Sequence, residues 1–284
     1  MNRLACALLP ALLAVAPAGA QVHHRIYPAP TEPVTVDGLP DGVAIAAVQT
    51  ADGLALKGLE IAPRDGKPTL LVFHGNGSSA MRSMRWFAPL VAKGYGLVAA
   101  EYREYSGNPG TADEAGLAAD ADAFYARARL LAGGGKLIVL GHSLGGGVAF
   151  GLAGRQHLDA LVTIGAFTRL RAMVPKIMRA AVPNDYDNEA AIARLDEPLY
   201  IVHGTADDVV PWQQGEQLSK LADAAGKPGA AFVIMGAGHA PDPAVLAMIV
   251  ETVAARIDSG GGMVGATLPQ NVKLIPFGMP PSAP

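Results

Sequence analysis

The sequence is poor in cysteine and in charge. Among 284 residues, Cys6 is the single cysteine, and Asp, Glu, Lys and Arg together make up 17%. The formal net charge is −3, and like charges form no run, so nothing in the composition indicates a nucleic-acid partner. A single cysteine excludes a disulfide within the chain, and no His, Cys, Asp and Glu spacing typical of a metal site is present. We therefore expect neither a metal nor a cofactor.

The sequence also lacks an apolar run long enough to span a membrane. Its longest apolar run lies at the N-terminus. Residues 1–20, MNRLACALLPALLAVAPAGA, combine Arg3, a short apolar stretch and a small-residue ending, which is typical of a secretory signal cleaved after Ala20. The alternative is an uncleaved membrane anchor. It is disfavoured because the apolar stretch is shorter than the roughly 18 residues of a spanning helix and Pro10 interrupts it. We expect export to the periplasm or the medium, with no membrane span and no cysteine in the mature chain.

The remaining sequence indicates one domain with flanking segments. Residues 21–42 are rich in proline and predict an extended lead-in, whereas 259–284 are rich in glycine and proline and predict a flexible tail. Residues 43–258 open with a predicted hairpin and continue with apolar runs that alternate with helical patterns, such as TLLVFHG, LVAAEY, LIVLGHS and PLYIVHG. Continuous apolar strands between helices predict an α/β fold with a mostly parallel central sheet and helices on both faces.

The carboxyl ends of the strands are where such a sheet binds ligands. One of them carries KLIVLGHSLGGGVAF, in which Ser143 occupies a G-x-S-x-G pattern between a strand and a helix. This pattern is typical of a nucleophile at a strained strand-to-helix turn, where Gly141 and Gly145 avoid collisions with the turn. The alternative interpretation is a glycine-rich turn that carries an idle serine.

A serine nucleophile needs a base and an acid, which this fold type supplies in the chain order Ser, Asp or Glu, His. Asp207 and Asp208 follow one predicted strand, and His239 follows the next. The spacing alone leaves both aspartates open. Among the other histidines, His142 is expected to point away from Ser143, and the two that precede glycines at strand ends, His74 and His203, are expected to shape loops.

The oxyanion that forms during acyl transfer needs two N–H donors. One is expected from Leu144, directly after Ser143, and the other from Asn76 in the loop HGNGSS. That loop lacks the lysine and the spacing of a phosphate-binding P-loop.

These pieces together resemble the α/β-hydrolase superfamily, in the branch of serine-aminopeptidase-like, lysophospholipase-like and protein-depalmitoylase-like hydrolases. The resemblance covers LVFHGNGSS, GYGLVAAEYREYSGNPG, VLGHSLGGGVA, PLYIVHGTADDVVP and MGAGH, between about residues 68 and 256. It implies Ser143 as nucleophile, His239 as base and Asp207 as acid, with Asn76 and Leu144 at the oxyanion hole. The sequence departs from the family pattern at Glu104, where glycine is common, and at Gly165-Ala166, where an acidic–polar pair is common.

A short cap segment, residues 168–197, is expected between the strands that carry Phe167 and Tyr200. Its stretch RLRAMVPKIMRAAV predicts an amphipathic helix with an irregularity at Pro175. The apolar residues of that helix either line a pocket or pack on the sheet. They are Met173, Val174, Ile177 and Met178.

The sequence thus predicts an exported serine hydrolase that cleaves an ester or thioester of a small or acyl-bearing substrate. Two alternatives remain. A peptidase that releases N-terminal residues would need an acidic subsite for the substrate amine, which Glu101 or Glu104 would provide. A binding protein on a former hydrolase scaffold would need no chemistry, but such scaffolds usually lose triad members. The sequence gives no indication of the oligomeric state.

Overall fold

The computed structural model describes residues 18–174, 176–182, 185–259 and 268–278. Within these ranges the chain forms one nine-stranded sheet with the order β1-β2-β4-β3-β5-β6-β7-β8-β9. Strands β3 to β8 run parallel to one another. The sheet is extended by antiparallel pairs at both edges, where β2 pairs with β4, β1 with β2, and β9 with β8. The strands are β1 Ala44–Gln49, β2 Ala55–Ile61, β3 Thr69–Phe73, β4 Gly96–Ala99, β5 Leu137–His142, β6 Ala160–Ile164, β7 Leu199–Gly204, β8 Gly229–Ile234 and β9 Val272–Phe277. The predicted fold class and the opening hairpin are confirmed.

Helices cover both faces of the sheet. Capping chemistry sets the limits of the longest one: the Asp113 side chain accepts the Gly116 N–H at its start, and Gly133 adopts a left-handed conformation, with φ 60°, at its end. The α-helices are α1 Ala18–Ile26, α2 Ala80–Trp86, α3 Ala88–Ala92, α4 Glu114–Ala132, α5 Leu144–Ala153, α6 Asn188–Arg194, α7 Gln213–Ala224 and α8 Pro243–Asp258. Short 3₁₀ segments span Tyr105–Gly107, Leu170–Met173 and Lys176–Ala181.

The sheet separates two apolar cores, which explains why its parallel strands are apolar on both faces. Residues of α4, α5 and α7, such as Phe124, Phe150 and Leu218, pack on one face. Residues of α2, α3 and α8 pack on the other, among them Met84 and Leu90. All residues of β3, β4 and β6 are buried. The strand ends are thereby held in fixed positions.

The predicted extended lead-in is wrong over its first residues. Of the predicted signal, residues 1–17 lie outside the described ranges, and α1 runs from Ala18 through the predicted cleavage point to Ile26. The helix ends before Pro28 because a proline disfavours helical backbone in the residue that precedes it. Tyr27, which follows α1, is only 1% exposed, so the segment is anchored to the domain by a buried side chain.

The predicted flexible tail is also wrong in part, because it contains β9. This strand pairs with β8 from Gly229↔Phe277 to Ile234↔Val272, and Phe277 is buried. Pro276 is tolerated because an edge strand does not need every N–H for pairing. The domain therefore continues to Phe277 rather than ending at residue 258, while 260–267 and 279–284 lie outside the described ranges.

The described residues of RLRAMVPKIMRAAV do not form the predicted amphipathic α-helix. Two short 3₁₀ segments, Leu170–Met173 and Lys176–Ala181, stand there instead. Met173 packs against the core, whereas Ile177 is 92% exposed. The side chain of Met178 lies outside the described part of the chain. Packing on the sheet is thus the correct alternative for Met173.

Candidate active site

Ser143 lies at the turn between β5 and α5. Its backbone has φ 53° and ψ −118°, a strained conformation for a residue with a side chain. The Ser143 N–H donates to the Ile164 carbonyl at 2.9 Å, which ties the turn to the neighbouring strand β6. Ser143 is 6% exposed, so its side chain is almost fully covered by the surrounding residues.

The two glycines of the G-x-S-x-G pattern are required by close backbone contacts. A Cβ at Gly145 would lie 2.1 Å from the Phe73 carbonyl oxygen, and one at Gly141 would lie 2.3 Å from the Gly145 oxygen. Both distances are shorter than any real Cβ contact. The sequence interpretation of these glycines therefore has a direct steric basis.

Asp207 and His239 are brought together from the ends of β7 and β8. His239 Nδ1 lies 2.8 Å from Asp207 Oδ2, and Asp207 Oδ1 accepts the N–H groups of Val209 and Val210 at 2.9 and 2.8 Å. Burial favours the protonated carboxyl, but these hydrogen bonds outweigh it and hold the pKa of Asp207 below its usual value. Asp207 is thus a buried carboxylate near neutral pH. The adjacent Asp208 is exposed.

Gly165, one of the departures from the family pattern, lies directly against this pair. With φ 56°, it is in a region that favours glycine. A Cβ there would lie 3.0 Å from His239 Nδ1 and 3.3 Å from Asp207 Oδ2. A larger residue at this position would press on both side chains.

His142, which was expected to point away from the nucleophile, supports the segment that carries His239. Its Nε2 lies 3.1 Å from the His239 carbonyl oxygen, and its ring packs 4.6 Å from the His239 ring. Burial and the nearby His239 lower the pKa of His142 to about 3, so the ring is neutral and donates its one N–H to that carbonyl. Trp86 packs edge-on against His142 and donates to the Pro241 carbonyl at 2.9 Å. Sequence reasoning missed both supporting roles.

His203 supports the aspartate in a similar way. Its Nε2 lies 2.9 Å from the Val210 carbonyl oxygen and 3.2 Å from Asp207 Oδ2. Burial lowers the pKa of His203, so a neutral ring places its N–H between two acceptors. The expected loop-shaping role agrees with this position, but the contact with Asp207 had no sequence signal besides the four-residue spacing.

The loop after β3 passes close to Ser143. A Cβ at Gly75 would lie 3.1 Å from Ser143 Cβ, which places the neighbouring Asn76 beside the nucleophile turn, in an exposed position. Leu144 is the first residue of α5, so its N–H has no acceptor within the helix. Both residues predicted for the oxyanion hole therefore lie on segments that border Ser143.

The sequence of residues 64–184 matches the family described as "Serine aminopeptidase, S33". An uncharacterised protein of Mycobacterium tuberculosis is 34% identical over 208 residues, which cover 70% of this chain and 73% of that protein. The chain belongs to this family of α/β-hydrolases. Lysophosphatidylserine lipase ABHD12 of Danio rerio is 27% identical over 224 residues, 70% of this chain and 58% of that protein.

Solved structures share the fold of this hydrolase. Esterase PF2001 of Pyrococcus furiosus superposes with a TM-score of 0.63 at 18% identity, over 82% of this chain and 95% of that one. At this level of identity the likeness concerns the fold alone. Helices that could cross a membrane are not found in the part of the hydrolase that the structure describes.

Two acidic residues near the site of the hydrolase are engaged by other groups. Glu101 is fully buried: its Oε1 lies 2.8 Å from His74 Nε2, and its Oε2 accepts the Ala80 N–H and the Ser106 hydroxyl. His74 Nδ1 in turn lies 2.8 Å from the Gly75 carbonyl. Glu101 therefore anchors the loop that borders Ser143, a function that no local pattern predicts.

Glu104, the other departure from the family pattern, has left-handed backbone, with φ 71°. Its carboxylate accepts the Ala112 N–H at 2.7 Å and lies 2.9 Å from His23 Nε2. Among the described residues, no group of three or more His, Cys, Asp or Glu is arranged to hold a metal ion.

Proposed function

We propose that this α/β-hydrolase is an exported serine hydrolase that cleaves an ester or thioester through an acyl-enzyme intermediate. The observations that carry the proposal are the 2.8 Å contact between His239 Nδ1 and the buried Asp207 carboxylate and the strained elbow conformation of Ser143. A charged acid behind a histidine is what a serine needs in order to act as a nucleophile.

In the proposed reaction, the Ser143 Oγ attacks the substrate carbonyl carbon while His239 takes the hydroxyl proton on Nε2, since its Nδ1 faces Asp207. Asp207 remains ionised and stabilises the imidazolium. Collapse of the tetrahedral intermediate breaks the carbonyl–oxygen or carbonyl–sulfur bond, and the leaving group receives the proton from His239. A water molecule, deprotonated by His239, then hydrolyses the acyl-serine and restores the enzyme.

The N–H groups of Asn76 and Leu144 are proposed as the donors to the oxyanion. Two features support this: Gly75 packs against Ser143, and Leu144 opens α5, where the helix dipole also favours negative charge. Loss of one such donor typically costs about 10²- to 10³-fold in kcat.

Cleavage of esters is favoured over release of N-terminal amino acids. A peptidase of that kind needs a free carboxylate for the substrate amine, but Glu101 is fully buried against His74 and Glu104 is held by His23 and the Ala112 N–H. A relative named as a lipase agrees with the same preference. The Asp207–His239 contact disfavours the alternative of a non-enzymatic binding protein, because such a protein does not need this pair.

A substrate panel tests this choice. We expect the purified protein to hydrolyse activated esters and thioesters of a range of acyl lengths, and to hydrolyse aminoacyl amides at least about 100-fold more slowly in kcat/KM, since Glu101 and Glu104 are both engaged by other groups. Faster turnover of the amides than of the esters would favour the peptidase instead.

Export is proposed from the N-terminal sequence and is tested separately. In a bacterial host, we expect the mature chain to begin at Gln21, because Ala18-Gly19-Ala20 provides the small residues that a signal peptidase requires. N-terminal sequencing of the protein from the periplasm or medium checks this. A chain that begins at Met1 in the membrane fraction would contradict it.

A further inference from the structure

Residues 22–30, here called the N-terminal strap, contact the cap segment and the loop that borders Ser143. The first contact is with the cap segment: the Tyr27 hydroxyl lies 2.9 Å from the Tyr186 hydroxyl, and both side chains are buried. The two residues are far apart in sequence, so this contact fixes the strap on the cap rather than within a local turn.

Tyr186 itself packs against α5, the helix that follows the nucleophile. A Cβ at Gly147, in α5, would lie 2.7 Å from Tyr186 Cδ1, so glycine is needed there for the ring to pack this closely. The backbone of Tyr186 is left-handed, with φ 44°, and its N–H donates to Glu114 Oε1 at 3.1 Å. Tyr186 is therefore held in an unusual backbone conformation against Gly147, which lies about one helical turn after Ser143.

The second contact is with the loop that carries Asn76. A Cβ at Gly77 would lie 3.5 Å from Pro28 Cγ, so the strap packs on the far end of this loop. The Pro30 carbonyl accepts the Ser106 N–H at 2.7 Å, and the Ser106 hydroxyl donates to Glu101. The strap is thus connected to the buried Glu101 that anchors the same loop.

We propose that the N-terminal strap is a positioning element of the active site, which holds the Asn76 loop and Tyr186 of the cap in one arrangement. The Tyr27–Tyr186 hydroxyl contact joins the strap to the cap, and the packing of Pro28 on Gly77 joins it to the loop. The inference rests on the proposed function, because positioning of Asn76 affects the rate only if Asn76 serves the oxyanion. It assigns an active-site role to the residues that directly follow the predicted cleavage point.

The test compares Tyr27→Phe, Tyr186→Phe and the double variant with Tyr125→Phe. Tyr125 provides a matched control because its hydroxyl donates to the His157 carbonyl at the surface of α4, away from the strap. Each strap variant is expected to lower kcat on one activated ester by about three- to tenfold, the range of one hydrogen bond, with little change in KM. The double variant is expected to be no worse than either single variant, since both remove the same contact.

Hydrogen exchange gives a readout that does not depend on activity. Peptides covering residues 74–80 and 185–192 are expected to exchange faster in Tyr27→Phe than in the wild type, and at the wild-type rate in Tyr125→Phe. Unchanged exchange in both peptides, or losses in kcat that multiply in the double variant, would overturn the proposal. Absence of ester hydrolysis by the wild type would instead contradict the proposed function. The hydrogen-exchange result would still test whether the strap holds the loop and the cap.

Discussion

Ser143→Ala is expected to lower kcat on any ester substrate by roughly 10⁴-fold or more, because the variant has no nucleophile to form the acyl-enzyme. The fold is expected to survive. The Ser143 N–H still donates to the Ile164 carbonyl, and alanine removes only an oxygen from a side chain that is 6% exposed. The backbone strain at φ 53° is the same for serine and alanine.

A fluorophosphonate probe separates loss of the nucleophile from loss of the fold. The wild type is expected to be labelled and Ser143→Ala is not, while both melt within a few degrees of each other. Ser219→Ala is the matched control, because its hydroxyl donates to the Gly215 carbonyl within α7, and it should retain labelling and turnover. Labelling and near-wild-type activity in Ser143→Ala would show that another residue is the nucleophile.

The central part of the fold could be predicted because its signals are local. Strands such as Thr69–Phe73 are apolar at every position, and this pattern is typical of a sheet buried on both faces. At Gly141 and Gly145 a larger side chain would collide with the backbone. The five-residue pattern around Ser143 was therefore enough to predict the geometry of the turn.

The elements at the two ends could not be predicted from local patterns. Helix α1 and strand β9 lie in segments rich in proline and glycine, and they are held by distant partners: Tyr27 contacts Tyr186, and β9 pairs with β8. In both cases tertiary contacts overrode weak local propensity.

The supporting contacts within the site could not be predicted for a related reason. His142, His203 and Glu101 act through contacts with segments that are remote in the chain or that the sequence does not mark, such as the His239 carbonyl. Histidines next to glycines at strand ends are common as loop residues. The sequence alone therefore could not distinguish a histidine that hydrogen-bonds to the site from one that only occupies a loop.

In the sequence, the choice of Asp207 over Asp208 depended on the family resemblance. The structure gives a physical reason for the same choice. Adjacent side chains after a strand point in different directions, so only one of the two can face His239. Asp207 Oδ2 lies 2.8 Å from His239 Nδ1, and Asp207 Oδ1 is held by the Val209 and Val210 N–H groups. Asp208 is exposed to solvent.

Asp207→Asn is therefore expected to lower kcat by roughly 10³- to 10⁴-fold, while its shape is preserved. An amide carries no charge to stabilise the imidazolium of His239 and favours the wrong tautomer of the ring. Asp208→Asn is the matched control, with the same chemical change one residue away, and is expected to stay within about tenfold, or about 1.4 kcal/mol of barrier. Measuring kcat/KM of both variants on one activated ester decides between the two. A large loss of kcat/KM in Asp208→Asn together with a small loss in Asp207→Asn would show that the acid is Asp208 and that the assignment to Asp207 is wrong.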